Sequence, residues 1–274
     1  MTLAIQISDT HFGTERPPVV EALVRLVREQ APQVVVLSGD ITQRARRAEF
    51  RAARAFADRL GAPVLLAIPG NHDIPLYNLA ARLFRPYANH RRAFGADLEP
   101  VFESDALLIL TVNTTRNYLH EKGAVSRAQV ERVALRLERA GAAQVRMVVT
   151  HQPVHVTRPE DRADLLLGRE AAVQRWAAAG ADLILGGHIH LPFVQALHDG
   201  DATLPRRVWA VQAGTAVSAR VRHDAGNSVN LIRIAAGAAP RRCAVERWDF
   251  DMPSQRFAPV ALDALEFDAA ASAR

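Results

Sequence analysis

Five short pieces of the chain carry side chains that can hold divalent metal ions. They are Asp9-Thr10-His11, Gly39-Asp40, Gly70-Asn71-His72-Asp73, the lone His151, and Gly187-His188-Ile189-His190. Carboxylate and neutral imidazole together suit hard and borderline cations such as Mn2+, Fe2+/Fe3+ or Zn2+. In an extended segment, side chains two residues apart point the same way. Asp9 and His11 can therefore grip one ion, and His188 and His190 repeat that logic with two imidazoles. Gly39 permits a tight exit that leaves Asp40 with two free oxygens, and Asn71 offers a neutral one. Cys243 is the only cysteine, so a thiolate-built structural zinc site is not expected. Seven candidate ligands (Asp9, His11, Asp40, Asn71, His151, His188 and His190) exceed what one open catalytic ion takes. They suit two ions with one carboxylate shared between them.

The elements that must deliver these groups are legible as well. Short apolar, β-branched runs occur at residues 3–7, 34–37, 64–68, 107–112, 145–149 and 183–185. Helical patterns lie between several of them, at 19–29, 45–60, 127–140 and 169–179. This alternation predicts βαβ units and an α/β fold. Each candidate piece follows directly on an apolar run, and open α/β sheets bind ligands outside the carboxyl ends of their strands. Taken singly, each piece has an ordinary explanation as a turn, a helix cap or a surface histidine. Five deliveries to one sheet edge do not.

Beyond residue 200 the pattern changes. Runs at 208–212, 228–234 and 244–250 predict strands with no helix between them, so 216–274 reads as a β-rich closing segment. Residues 74–100 form a long, Arg-rich stretch that starts at the end of the third run and is a candidate cap insertion. Leu79, Leu83 and Phe84 fall at helical spacing there, accompanied by Arg82, Arg85, Arg91 and Arg92. Such a cap would bind the non-reacting part of an anionic substrate.

Composition narrows the function further. At 274 residues, with 49% hydrophobic and 23% charged, the chain is expected to fold as a single globular domain over 1–274, not as a disordered or collagen-like one. No apolar run approaches the ~18 residues of a transmembrane segment. The start MTLAIQISDTHFG has no signal-peptide character, and a single cysteine fits a reducing compartment, so a cytoplasmic location is expected. Net charge is +5, and Lys122 is the only lysine among the 34 basic residues. The arginines are scattered and aromatics reach only 6%, which disfavours nucleic acid as a partner and suits a small anionic substrate. No P-loop, dinucleotide turn or nucleophile elbow is present. His155 follows His151 by one helical turn, but Gln152 and Pro153 break any resemblance to a zinc-protease helix. His155, Asn113 and Arg116 are candidate substrate contacts, while His90, His120, His198 and His223 read as surface residues.

In that order, DTH, GD, GNHD, a lone H after a strand and GHIH resemble the calcineurin-like metallophosphoesterases, over roughly residues 3 to 215. The resemblance implies a four-layer α-β-β-α sandwich of two mixed β-sheets flanked by helices. It implies one metal on Asp9, His11, Asp40 and His190, and another on Asp40, Asn71, His151 and His188. A bridging hydroxide between the ions would attack phosphorus. His72 would contact a phosphoryl oxygen or protonate the leaving group, and Arg44 would clamp phosphate. In the family's protein phosphatases the second loop reads GD-x-x-D-R; here Gln43 stands in place of the second aspartate, which argues against that branch. The single compact domain with GNHD resembles bacterial class III cyclic-nucleotide phosphodiesterases. A relative cleaving a nucleotide-sugar or lipid-linked pyrophosphate is the alternative, although that branch commonly has Arg at the position of His72. A DNA-repair nuclease fits less well, for want of an added DNA-binding domain. A partner-binding scaffold with a weakened metal site conflicts with seven intact ligand positions, and a homodimer is compatible with the sequence.

Overall fold

The computed structural model describes residues 1–200, 202–235 and 241–268. The closing segment assigned to 216–274 is therefore seen without residues 236–240 and 269–274, which lie outside the described residues. Two six-stranded mixed sheets form the body. In the first, β1 (Thr2–Ile7), β2 (Val34–Ser38) and β3 (Val64–Ile68) run parallel. β10 (Ser228–Ile234) pairs antiparallel with β1, and β11 (Arg242–Asp251) and β12 (Arg256–Glu266) complete that sheet, each antiparallel to the strand before it. In the second, β5 (Leu107–Thr111), β6 (Val145–Val149), β7 (Leu183–Gly186) and β9 (Trp209–Gln212) are parallel. The short strands β4 (Val101–Glu103) and β8 (Phe193–Ala196) close its two edges antiparallel.

Alternation along the strands builds the layers, because successive side chains face opposite sides of a sheet. Leu3, Ile5 and Ile7 of β1 face α1 (Pro17–Gln30) and α2 (Arg47–Leu60). Leu108, Leu110 and Val148 face α5 (Arg127–Glu138) and α6 (Arg169–Ala178) in the same way. The other faces meet each other: Ala4, Val34 and Val36 from one sheet pack with Ile109, Met147 and Leu185 from the other. Three apolar seams thus stack four layers, α-β-β-α, as the resemblance implied. Helix ends are set locally. Pro17 opens α1, where its missing N–H costs nothing, and the Glu49 carboxylate accepts from the Arg46 backbone N–H (3.1 Å) at the start of α2.

Residues 74–100 form two short helices, α3 (Leu79–Phe84) and α4 (Ala88–Phe94), ahead of β4. His90 corrects an expectation. It is fully buried on α4 between Phe50 and Phe94, because α4 packs against α2. The strands β4, β8 and β12 carried no clear apolar run. No helix among the described residues is long and apolar enough to cross a membrane.

Candidate dinuclear metal centre

Every candidate ligand sits just beyond the carboxyl end of a strand: Asp9 and His11 after β1, Asp40 after β2, Asn71 after β3, His151 after β6, and His188 and His190 after β7. Parallel pairing continues into the loops. The Asp9 N–H donates to the Gly39 carbonyl (3.1 Å) and the His11 N–H to that of Asp40 (2.9 Å), so the first two loops are stitched together. Five of these residues hold left-handed backbone: Asp9, His11, Asp40, His188 and His190. A non-glycine residue there costs about 1–3 kcal/mol, and such strain gathers where the surroundings impose a functional geometry. Gly39, at φ +101°, is a position where only glycine fits, since a Cβ would collide with the His151 ring.

The side chains converge. His11 Nε2 lies 3.1 Å from His190 Nε2 and 3.7 Å from Asp40 Oδ2, and His190 Nε2 lies 3.3 Å from Asp9 Oδ1. On the other side, His151 Nε2 is 3.3 Å from both Asp40 Oδ1 and Asn71 Oδ1. Ligand atoms of Asp9, His11 and His190 fall within 4.8 Å of one another, and so do those of Asp40, His151 and His188. A third such group joins His11, Asp40 and His72, so Asp40 stands at the junction and His72 beside it. Neighbouring groups fix the imidazoles: His151 Nδ1 meets the Ser38 carbonyl (2.9 Å) and His190 Nδ1 that of Arg220 (2.6 Å). The Nδ1 atom of His188 is buried without any partner, an arrangement that fits a metal ligand. Asp73 ties the second loop to the third. Its carboxylate accepts from the N–H groups of Ile41, Thr42 and Gly70 and from the Thr42 hydroxyl, at 2.8–2.9 Å.

Electrostatics match the packing. Burial alone would raise the Asp9 carboxyl, but His190 beside it outweighs that and holds it at about 2. Asp40 is likewise held well below the usual carboxylate range, against its burial, by His151 and His72. Burial drives His11 down to about 3 despite Asp40 and Asp9. His151 moves the other way, to about 9, because the Asp40 charge overcomes the burial penalty. Burial and then Asp40 push Asp73 up to about 6.

Beside this cluster opens a cavity of about 180 Å³, with Asn71, His72, Arg44, Arg82, His120 and Arg220 on its wall. His72 is held from both sides: Nδ1 lies 2.9 Å from the Gln43 carbonyl and Nε2 lies 2.9 Å from Arg220 Nη1. The backbone carbonyl thus occupies the ring nitrogen that a loop aspartate would otherwise orient. Arg44 is exposed at the rim and reaches the Tyr77 hydroxyl (3.1 Å). Asn113 and Arg116 are placed elsewhere, on a separate surface cavity with Gln129 and Arg132. Arg116 is spent on loop closure there, donating to the carbonyls of Asn113 (2.9 Å) and Thr115 (2.7 Å). His155 packs against Phe193 and is absent from the His72 cavity. Arg82, one of the arginines of the candidate cap, lines this wall, whereas sequence reasoning missed Arg220 and His120 there, and Asp164, whose carboxylate is 3.5 Å from His188 Nε2. Arg220 is one among many scattered arginines, and no local spacing distinguishes it.

Comparison with known proteins agrees with the geometry. The sequence model of the calcineurin-like phosphoesterase family matches residues 3–192. A probable cyclic nucleotide phosphodiesterase of Synechococcus sp. is 33% identical over 85 residues, which cover 27% of this chain and only a third of that protein's length. A dimetal phosphatase from Danio rerio superposes with a TM-score of 0.68 at 13% identity, covering 97% of this chain and 99% of that one. The purple acid phosphatase PPD1 of yellow lupin seeds gives 0.73 at 11% identity, over 97% of this chain and 53% of that one. Vps29 from Entamoeba histolytica, complexed with Zn2+, gives 0.51 at 12% identity, over 97% and 100%. At these identities the structural likeness establishes fold alone, whereas the family match spans most of the chain and all seven candidate ligand positions. The chain belongs to the calcineurin-like phosphoesterase family.

Proposed function

We propose that this protein is a phosphodiesterase with a dinuclear metal centre. The observation that carries the reading is the pair of ligand groups meeting at Asp40. Asp9, His11, Asp40 and His190 would hold one ion, and Asp40, Asn71, His151 and His188 the other. The fit rests on the donor set and on the unpartnered, buried Nδ1 of His188. When bound, two divalent cations supply Lewis-acid charge for phosphate oxygens and a water of lowered pKa.

The chain's own groups do the rest. Asp40 would be shared by both ions and keeps the two sets of ligands in register. His72 faces the cavity through Nε2, because Nδ1 is engaged by the Gln43 carbonyl. Arg220 brings its guanidinium to the same spot and, with Arg44, balances the charge of a phosphoryl group entering the cavity. About 180 Å³ admits a phosphoester and its nearest substituent, with the remainder of the substrate lying toward α3. A diester is favoured over a phosphoprotein monoester because Gln43 replaces the carboxylate that partners the histidine in protein phosphatases. A small anionic diester such as a cyclic nucleotide is the substrate class we favour. A lipid-linked phosphoester or pyrophosphate is the second reading, supported by exposed apolar side chains on α3 beside the cavity.

The test is turnover, before and after chelation, of bis-p-nitrophenyl phosphate, p-nitrophenyl phosphate, cAMP, a glycerophosphodiester and a UDP-sugar. Diesters should be cleaved fastest, and chelation should abolish activity until Mn2+, Fe2+ or Zn2+ is restored. Preference for the monoester would overturn the diester assignment. Undiminished turnover after exhaustive chelation would overturn the metal centre.

A further inference from the structure

We infer that the face formed by α2, α3, α4 and the loop before α5 docks on an anionic lipid surface. Two independent observations meet there. The first is apolar: Tyr77, Leu79, Leu83, Phe84 and Tyr118 each expose between 62% and 77% of their surface. They form one patch. Asn117 donates to the Leu83 carbonyl (3.4 Å), and Arg82 donates to those of Leu119 (2.6 Å) and Pro75 (3.3 Å), so α3 and the loop are joined. Tyr77 lies against Arg44 at the cavity rim, 5.4 Å from guanidinium to ring centroid. The patch therefore borders the mouth of the site on the side of Arg44 and Arg82. Scattered exposed apolar residues need no explanation, but a contiguous group beside a functional cleft marks an interaction surface.

The second observation is charge. Residues 74–96 contain four arginines and no acid. Arg47, Arg51 and Arg54 stand on one side of α2 and, with Arg92 of α4, line a groove of about 260 Å³ floored by Phe50. The acid of that groove, Asp58, is occupied by Arg54. Asn89 joins this groove to a second, of about 420 Å³, walled by Pro75, Ala81, Phe84 and Ala88. Basic belt and apolar crest are thus continuous.

Guanidinium groups beside exposed Leu and Phe match an anionic bilayer, where the charges meet headgroups and the apolar tips enter the acyl boundary. A second copy of this chain fits less well, since two-fold pairing through this face would set its arginines against their own copies. Nucleic acid would satisfy the arginines but gives Leu79 and Leu83 nothing to enter. Docking leaves the chemistry of the cleft as proposed above and adds where the substrate is presented. It rests on that reading only for its biological purpose, because the face can be tested without turnover.

The experiment is sedimentation of the full chain, loaded with Mn2+, with phosphatidylcholine vesicles carrying or lacking phosphatidylglycerol. Binding should require the anionic lipid and weaken with salt. Replacing Leu83→Ser and Phe84→Ser together should lower partition about tenfold or more. Arg51→Glu and Arg92→Glu should each lower it at least about fivefold. None of the four residues lines the His72 cavity or belongs to the candidate ligands, so metal content and thermal unfolding should match the parent and report folding. Failure to bind anionic vesicles, or binding indifferent to Leu83 and Phe84, would overturn the inference. So would sedimentation velocity in which Phe84→Ser dissolves a dimer while vesicles are ignored. Heparin or DNA binding that depends on the arginines, without vesicle binding, would identify a plain polyanion site instead. Inactivity of the parent on every phosphoester would count against the proposed function alone.

Discussion

At the scale of single residues, the proposed metal centre gives Asp40 and Asn71 unequal shares of metal binding. Asp40 stands where the ligand groups meet, and Asn71 approaches only the His151 side. Asp40→Ala should therefore strip most metal from both positions, whereas Asn71→Ala should leave the Asp9 side loaded; elemental analysis of the purified variants measures the difference. His72 and Arg220 form a pair above that site. If His72 protonates the leaving group, His72→Ala should keep its metals and lose about 10²–10⁴ in kcat, with a smaller loss on good leaving groups. Equal losses across leaving groups, shared by Arg220→Gln, would instead assign the pair to charge stabilisation of the phosphoryl group. The order DTH, GD, GNHD, H and GHIH made the candidate ligands readable, because each candidate sits at a recognisable strand exit. Arg220 was not readable, because its place beside His72 arises from a loop that returns to the site 148 residues later.

Elements decide how rigidly those residues are held. Asp73 clasps the loops after β2 and β3, and both of its oxygens act as acceptors. Asp73→Asn would turn an amide NH2 toward backbone N–H groups, which should cost about 1–3 kcal/mol and reduce metal occupancy with no ligand changed. Urea unfolding and metal analysis together check this. The α2–α4 contact makes a different prediction. His90 is buried between Phe50 and Phe94, neither ring nitrogen has a partner, and burial lowers its pKa from 6.5 to about 4. Unfolded chain takes up a proton near 6.5 that folded chain refuses until about 4. The contribution of His90 to stability is thus undiminished above pH 6.5 and declines as pH falls through that window, by on the order of 3 kcal/mol. His90→Leu should flatten this part of the pH–stability curve and raise stability at neutral pH.

The whole molecule depends on two sheets staying face to face, and its far end is fastened by charge. Asp182, just before β7 of the second sheet, is fully buried and bonds Arg241, just before β11 of the first, with Arg206 alongside at 2.9 Å. Arg241→Ala removes the cross-sheet partner and leaves a buried carboxylate half-paired, an expected loss of about 3–5 kcal/mol. Because this cluster lies at the amino ends of the parallel strands, opposite the metal centre, the variant should still bind metal wherever it remains folded. Thermal unfolding with and without Mn2+ separates the two effects.

Strand order along the chain and the chemistry at each strand's end were both written in the sequence. Hydrophobic period and side-chain type are local properties, so βαβ alternation, α/β class and ligand inventory needed no coordinates. Local period says nothing about which strand lies beside which. That β9 joins β7 while β10 crosses back to β1 depends on burying three apolar seams at once. β12 shows the same limit: its Pro259 weakens any strand signal, yet at a sheet edge its missing N–H is tolerated, opposite the register shift at Trp248. Asn113 and Arg116 looked like site residues because they follow a strand at the correct end. The fold instead turns Arg116 onto its own loop and brings Arg220, Arg82 and His120 to the cavity. The candidate ligands follow from side-chain type, whereas the cavity wall follows from loop return, which tertiary packing alone fixes.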